Sequence, residues 1–188
     1  MGAIKSLFAA VFDFLQGIVV ILAIMVMIYL FIMSPQEING ASMEPNFHNK
    51  EYILTNKIEY KLHNPKRGDV VIFKSPANKD IDYIKRIIGE PGDRISLKGG
   101  SYYVNGVKLI EPYLAPGTYI SGGNFLREDR EITVPTGKYF VSGDNRGHSS
   151  DSREFGPILK EDFIGKAFLR YWPFSEAGII STPTYSLR

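Results

Sequence analysis

The chain has 188 residues, 44% of them hydrophobic and 22% charged, which is the composition of a folded protein. It contains no cysteine, so disulfides, thiolate nucleophiles and cysteine-ligated zinc are excluded. The net charge is +2 with both signs interspersed, so no basic stripe indicates a nucleic-acid partner. The three histidines lack the spacing of a metal-binding pair, and we expect neither a metal nor another cofactor.

The first predicted element is a membrane-spanning helix. No charged residue occurs from Phe14 to Gln36, and the stretch from Gly17 to Met33 is almost wholly apolar. This length is close to the minimum that crosses a hydrocarbon core of roughly 30 Å. A buried core helix would show a polar face, and a cleaved signal segment would have a shorter apolar core and a basic start. Residues 1–35 are therefore expected to hold a short N-terminus and a retained transmembrane helix, with the lipid bilayer as partner.

The remainder of the chain is predicted to be mainly β. Short runs rich in Ile, Val, Tyr and Phe are separated by Gly, Pro, Asn and Asp, as in strands joined by turns. The stretch "YYVNGVKL" carries Asn-Gly between apolar flanks, which indicates a hairpin. We expect an antiparallel, barrel-like or sheet domain over 36–180, with an insertion at about 98–131 and a C-terminal tail at 181–188.

A candidate nucleophile, Ser42, lies in "NGASMEPNF" and needs a base. A Ser-His-Asp arrangement would combine Ser42 with His148 and with Asp144 or Asp151. His148, however, lies in "GDNRGHSSDSR", a loop crowded with turn-forming residues, where a solvated histidine is the simpler interpretation. The triad is therefore the weaker hypothesis.

Lysine is the other candidate base, provided that burial lowers its pKa. In "IDYIKRIIG" the two-residue period of a strand places Ile81, Tyr83, Lys85 and Ile87 on one face. Arg86 then points the opposite way. Lys85 is thus predicted to lie along an apolar row, although the pattern alone leaves open a solvent-exposed lysine on an edge strand.

Three segments, in order, resemble the type I signal peptidases, the membrane-bound Ser-Lys proteases of family S26. "GASMEP" resembles the nucleophile box of that family, "YIKRIIGEPGD" its lysine box and "GDNRGHSSDSREFG" its third box. The resemblance covers roughly residues 35–175, behind an N-terminal anchor. It implies the signal peptidase fold and a membrane-bound serine endopeptidase that cleaves N-terminal signal peptides from exported preproteins.

The resemblance also implies residue roles. Ser42 attacks the scissile carbonyl, Lys85 accepts its proton, and Ser149 hydrogen-bonds the lysine nitrogen. Other charged residues are expected to form ion pairs that fix the third-box loop, with Arg86 as a partner of Asp144; the loop residues are Asp144, Arg146, Asp151 and Arg153.

One position departs from much of the family. Many members have a second serine two residues before the nucleophile, whose hydroxyl completes the oxyanion hole, and this chain has Gly40 there. The Ser42 backbone N–H is expected to be one oxyanion donor. The serine donor is absent here, so either a backbone N–H or a water molecule replaces it, or the stabilisation of the oxyanion is smaller.

The expected substrates are preprotein signal peptides with small residues at the first and third positions before the cut. The expected location is the plasma membrane, with one spanning helix, the catalytic domain on the extracytoplasmic side and a monomeric chain. Two alternatives remain: an inactive membrane-anchored β-rich peptide-binding module, and a related specialised Ser-Lys processing peptidase.

Overall fold

The computed structural model describes residues 2–183 and residue 185. The tail predicted at 181–188 therefore lies partly outside the described residues. The chain begins with one long helix and continues as two antiparallel β-sheets, so the prediction of a mainly β fold behind an apolar helix is confirmed.

The long helix α1 spans Gly2–Phe31. Its segment Ile4–Phe31 is long and apolar enough to cross a membrane, and none of its most apolar stretch is buried against the rest of the chain. The helix ends before the boundary predicted at residue 35. Pro35 disfavours helical backbone at the residue before it, and strand β1 already begins at Met33.

The larger sheet has eight strands, in the order β1-β2-β11-β3-β4-β9-β10, with β12 beside β11. All of its pairings are antiparallel. Its strands are β1 Met33–Glu37, β2 Tyr52–Asn56, β3 Val70–Lys74, β4 Asp82–Gly89, β9 Lys138–Ser142, β10 Ile158–Leu159, β11 Phe163–Trp172 and β12 Gly178–Ile179. Short helices join them: α2 Glu59–Leu62, α3 Ser152–Phe155 and the 3₁₀ turns Lys160–Asp162 and Phe174–Glu176.

The smaller sheet has four strands in the order β7-β6-β5-β8. They are β5 Arg94–Lys98, β6 Ser101–Val104, β7 Val107–Lys108 and β8 Glu131–Thr133. The predicted Asn-Gly hairpin joins β6 to β7, and both of its turn residues have positive φ, 54° at Asn105 and 84° at Gly106. This is the geometry for which Asn-Gly is favoured, because a side chain with a branched Cβ resists positive φ.

Three apolar clusters hold the sheets together. One fills the smaller sheet around Tyr102 and Phe140. The other two lie on the larger sheet, one around Ile53 and Met43 and the other around Phe73. Strand β4 runs between β3 and β9 in the larger sheet, with Lys85 opposite Val71 and the next residue, Arg86, opposite Ser142.

Candidate active site

Ser42 lies in the loop between β1 and β2. Two backbone hydrogen bonds close the base of this loop, from Ile38 N to Glu51 O and from Lys50 N to Ile38 O, both 2.8 Å long. Met43, the residue after the serine, is 1% exposed and packs in the cluster around Ile53. Met43 therefore anchors this loop, called the nucleophile loop below, to the apolar cluster, and the neighbouring Ser42 faces a cleft.

Lys85 is brought to Ser42 by the middle of strand β4. Its Nζ lies 2.8 Å from Ser42 Oγ, within hydrogen-bonding distance, and donates to Ile84 O at 3.0 Å. The side chain is only 4% exposed. The two residues that the sequence singled out as nucleophile and base, 43 positions apart, are thus in direct contact.

Burial determines the protonation state of this amine. Desolvation lowers the pKa of Lys85 from 10.5 to about 8, with a further small lowering from Arg153. The carboxylates of Asp151 and Asp144 act in the opposite direction and moderate the change. With a pKa of about 8, about a tenth of the amine is neutral at pH 7, compared with a few parts in ten thousand for a solvated lysine.

The apolar row predicted beside Lys85 is only partly present. Ile87 is fully buried and packs with Tyr83 in one cluster. Ile81 is 49% exposed and precedes β4, since the strand begins at Asp82. The interpretation of Ile81 as part of a buried face was therefore wrong, because the two-residue period applies only within the strand.

Arg86 points away from Lys85, as predicted, and forms the expected ion pair with Asp144. Its Nε donates to Oδ1 at 2.9 Å and its Nη2 to Oδ2 at 2.7 Å, with both side chains buried. Asn46 Nδ2 donates to the same carboxylate at 2.9 Å. One buried carboxylate thus connects β4, the nucleophile loop and the third-box loop.

Asn145 connects the third-box loop directly to the nucleophile. Its backbone N–H donates to Ser42 O and its side chain to Ala41 O, each at 3.0 Å. The sequence analysis assigned no role to Asn145 or Asn46. The position of Asn145 inside the third box could have indicated a role for it. For Asn46 the only indication in the sequence was its nearness to Ser42.

The ion pair of Asp151 and Arg153 stabilises the rest of this loop. Arg153 donates to both Asp151 oxygens at 2.8 Å, and Gly143 N donates to Oδ2 at 3.0 Å. Burial by itself would raise the pKa of Asp151, but these hydrogen bonds lower it below its usual value. Asp151 therefore carries its negative charge throughout the neutral range.

Arg146 also forms an ion pair, but its partner lies outside the loop. Both terminal nitrogens donate to Glu111, and Nε donates to Gly143 O at 2.9 Å. Glu111 belongs to the segment predicted as an insertion. That segment therefore contributes a buried carboxylate to the framework of the site, a contact that no local pattern signals.

Ser149 does not form the hydrogen bond expected of it. Its Oγ is buried and finds no hydrogen-bond partner within residues 2–183 and 185. Lys85 Nζ instead has two oxygen partners, Ser42 Oγ and Ile84 O. The Ser149 hydroxyl lies near Gly143, since a Cβ built on that glycine would overlap both Ser149 Oγ and Ser42 O.

The oxyanion donors follow from the backbone around Ser42. The Gly40 N–H donates to Asn49 Oδ1 at 2.9 Å and is therefore already occupied. The Ser42 N–H has no acceptor within the described part of the chain. Gly40 has φ of 110° with open space beside it, so a serine there would have room but would strain the backbone.

His148 does not contact the nucleophile. It is exposed at the edge of the cleft, and its backbone N–H donates to Asn145 O at 3.0 Å. No hydrogen bond joins its ring to Ser42 among the described residues. The geometry therefore favours lysine over histidine as the base.

A cleft of about 550 Å³ runs along Ser42 and Lys85. Residues 36–42 form one wall and 80–85 the other, with Ile53 and Ile72 at its apolar base. Strand β1 lies at the end of the sheet order and pairs only with β2 in the described structure. A strand edge of this kind is the structure to which extended peptides add as a further strand in other proteins.

One group of side chains has the spacing of a metal site. Within the described residues, ligand atoms of His48, Glu51 and Glu176 come within 4.8 Å of one another. Arg170 already pairs with both carboxylates, at 2.9 Å from Glu51 and 3.2 Å from Glu176. The guanidinium compensates one of the two carboxylate charges and already occupies their oxygens, and we assign no metal to the cluster.

Comparison with known proteins gives consistent matches. The family described as "Signal peptidase, peptidase S26" matches residues 11–172. Signal peptidase IB of Staphylococcus aureus (strain Mu50 / ATCC 700699) is 40% identical over 175 residues, covering 87% of this chain and 91% of that protein. Signal peptidase I of Bacillus caldolyticus is 42% identical over 154 residues, covering 78% and 84%. A solved structure of a signal peptidase I from Enterococcus faecalis V583 is 32% identical, with a TM-score of 0.47, covering 55% of this chain and 97% of that one.

Gly143 offers a test of how closely the nucleophile is held. In Gly143→Ala the added methyl overlaps Ser42 O and Ser149 Oγ, so the nucleophile loop must shift. Displacement of a reacting group by about 1 Å reduces turnover by on the order of 10²-fold. We expect a loss of kcat of that size for a peptide substrate, with the folded state retained in thermal unfolding.

Gly147→Ala is the matched control, because it lies in the same loop and a Cβ there meets nothing within 4 Å. It should retain nearly full activity. Equal activity of the two variants would show that Gly143 does not constrain the nucleophile.

Proposed function

The chain belongs to the signal peptidase family, peptidase S26, and on that premise we propose the role of each residue of the site in catalysis. It is a serine peptidase that cleaves signal peptides, and its N-terminal apolar helix associates it with the membrane. We assign the chemistry to Ser42 and Lys85. The observation that carries this assignment is the contact of 2.8 Å between Ser42 Oγ and a buried lysine amine with a pKa of about 8.

The proposed reaction has two steps with balanced protons. Neutral Lys85 takes the hydroxyl proton as Ser42 Oγ attacks the scissile carbonyl, and the resulting ammonium gives that proton to the leaving amine. The signal peptide is then held as an ester on Ser42. Lys85, again neutral, takes a proton from water as the water attacks the ester, and it returns the proton to Ser42 when the ester bond breaks.

Backbone and supporting groups complete the proposed mechanism. The free N–H of Ser42 donates to the oxyanion, while the Gly40 N–H, held by Asn49, does not. Ser149 has a buried hydroxyl that finds no hydrogen-bond partner in the described part of the chain. We assign it to orienting the Lys85 amine once Ser42 has become an ester and no longer offers its hydroxyl.

The ion pairs have a positioning role in this proposal. The Arg86–Asp144 pair joins β4 to the third-box loop, and Asn46 joins the nucleophile loop to the same carboxylate. The pair of Asp151 and Arg153 fixes the rest of the third-box loop. Arg146 joins that loop to Glu111. None of these groups reaches the scissile bond, and their charges are compensated within each pair.

For the substrate, we infer an extended segment in the cleft, with small residues at the first and third positions before the cut. This inference is supported by the position of the cleft between residues 36–42 and 80–85, beside Ser42, and by the apolar residues at its base. The chain is proposed to act as a monomer with one spanning helix and its β-domain outside the cytoplasm. An inactive peptide-binding module would have no need of a buried lysine amine next to a serine.

Removal of either member of the dyad tests the mechanism. Ser42→Ala and Lys85→Ala should each reduce cleavage of a model preprotein by about 10³-fold or more, and the double variant should be no worse, because the two side chains act as one unit. The preprotein carries alanine at the first and third positions, and a version with large residues there should resist the unaltered enzyme.

His148→Ala is the matched control and should keep most activity. Substantial processing by either dyad variant, with circular dichroism showing an intact fold, would contradict the assignment. Loss of activity in His148→Ala would favour the triad instead.

The absence of cysteine allows a direct test of orientation. Lys98→Cys places one thiol on an exposed position of the β-domain, and Lys5→Cys places one near the start of α1. In intact cells a membrane-impermeant maleimide should label Lys98→Cys only, and both should react after lysis. Labelling of Lys5→Cys alone in intact cells would reverse the proposed topology.

A further inference from the structure

A second cavity, of about 710 Å³, lies where α1 meets the β-domain. Leu30 and Phe31 at the end of the helix form one side of it, and Leu159, Phe163 and Ile164 contribute apolar groups from the domain. It shares no lining residue with the substrate cleft. With α1 spanning the bilayer as proposed above, a cavity whose wall is the end of this helix lies at the membrane surface.

Three lysines surround this cavity: Lys57, Lys61 and Lys160. None of them pairs with a carboxylate among the described residues, whereas lysines elsewhere on the surface do. Lys57 Nζ donates to Tyr29 O at 3.0 Å, which fixes its ammonium at the C-terminal end of α1. Lys160 Nζ donates to Asn64 Oδ1 at 2.9 Å, its one hydrogen bond among the described residues.

The carboxylates near the lysines do not cancel their charge. Glu161 is the acidic residue that lines the cavity. Glu59 is directed towards His63, with 3.5 Å between the carboxylate oxygen and Nδ1. Three ammonium groups against one carboxylate leave the cavity positive, next to exposed hydrocarbon on Leu30 and Phe31.

We propose that this cavity binds the headgroup of an anionic phospholipid from the leaflet on the side of the β-domain. The lipid phosphate lies among Lys57, Lys61 and Lys160, and an acyl chain follows α1 along Leu30 and Phe31. Basic side chains attract anionic lipids within a Debye length of the surface, and lysine stems cover apolar surface while their charged ends remain polar. The headgroup would hold the domain against the membrane at a second point besides the helix.

The test uses the full chain in nanodiscs of phosphatidylcholine, with and without phosphatidylglycerol, and native mass spectrometry to count retained lipids. The unaltered chain should retain phosphatidylglycerol in preference to phosphatidylcholine. Lys61→Gln/Lys160→Gln should weaken this retention by about fivefold for each lysine removed. Lys98→Gln/Lys108→Gln removes the same charge from the smaller sheet, outside the cavity, and should bind as the unaltered chain does.

Competition by free glycerol phosphate distinguishes a lipid site from a simple phosphate site. At a lipid site, glycerol phosphate should not displace the lipid. Equal retention of both lipids, equal loss in the two double variants, or displacement by glycerol phosphate would each overturn the proposal. Cleavage of a soluble peptide, measured in parallel, should be unchanged in Lys61→Gln/Lys160→Gln. Failure of lipid binding is thus distinguishable from failure of the dyad.

Discussion

The structure depends on one unfavourable placement, the burial of the Lys85 amine beside Ser42. An ammonium taken out of water loses hydration that its neighbours here only partly replace. Its close partners are a hydroxyl and a backbone carbonyl, not a carboxylate. Burial therefore shifts the equilibrium towards the neutral amine, with a pKa of about 8, and a neutral amine in contact with a serine hydroxyl is a general base.

This placement lowers the stability of the folded protein at neutral pH. The pKa of Lys85 falls from 10.5 in the unfolded chain to about 8 in the folded one, so below pH 8 folding carries a penalty of roughly 3 kcal/mol. Between these two values the unfolded chain binds the proton and the folded chain does not. The free energy of unfolding should therefore rise with pH across that window.

The surrounding framework keeps the amine in place without supplying it with a counter-ion. Asp144 and Asp151 are the nearest sources of negative charge, and each is already bonded to an arginine. Their hydrogen bonds connect β4, the third-box loop and the nucleophile loop. The two carboxylates thus mainly hold these segments in position. The protonation state of Lys85 is determined chiefly by its burial.

Local sequence patterns predicted much of this arrangement. The uncharged run indicated the helix, the Asn-Gly pair indicated the β6–β7 hairpin, and the alternation along β4 placed Lys85 and Arg86 on opposite faces. The resemblance of three ordered segments brought Ser42 and Lys85 into one site, which periodicity alone did not do.

What the sequence did not reveal depends on contacts between distant segments. Glu111, which follows β7, meets Arg146 of the third-box loop, and Asn46 of the nucleophile loop meets Asp144. Glycine is needed at position 143 because two oxygen atoms lie where a side chain would be. No pattern in the sequence indicates this close approach. The hydrogen bond expected of Ser149 was implied by the family resemblance, and it is absent among the described residues because the fold of the loop sets the direction of the hydroxyl.

The ionisation of Lys85 is the central claim, and NMR titration of the chain in detergent micelles, with lysine labelled at ¹³Cε, measures it most directly. Lys85→Met identifies the signal, and the pH profile of kcat/KM is recorded under the same conditions. The account predicts a midpoint near pH 8 for this one resonance and an acidic limb of activity with the same midpoint. A midpoint near 10.5, or a limb of activity unrelated to the titration, would contradict it.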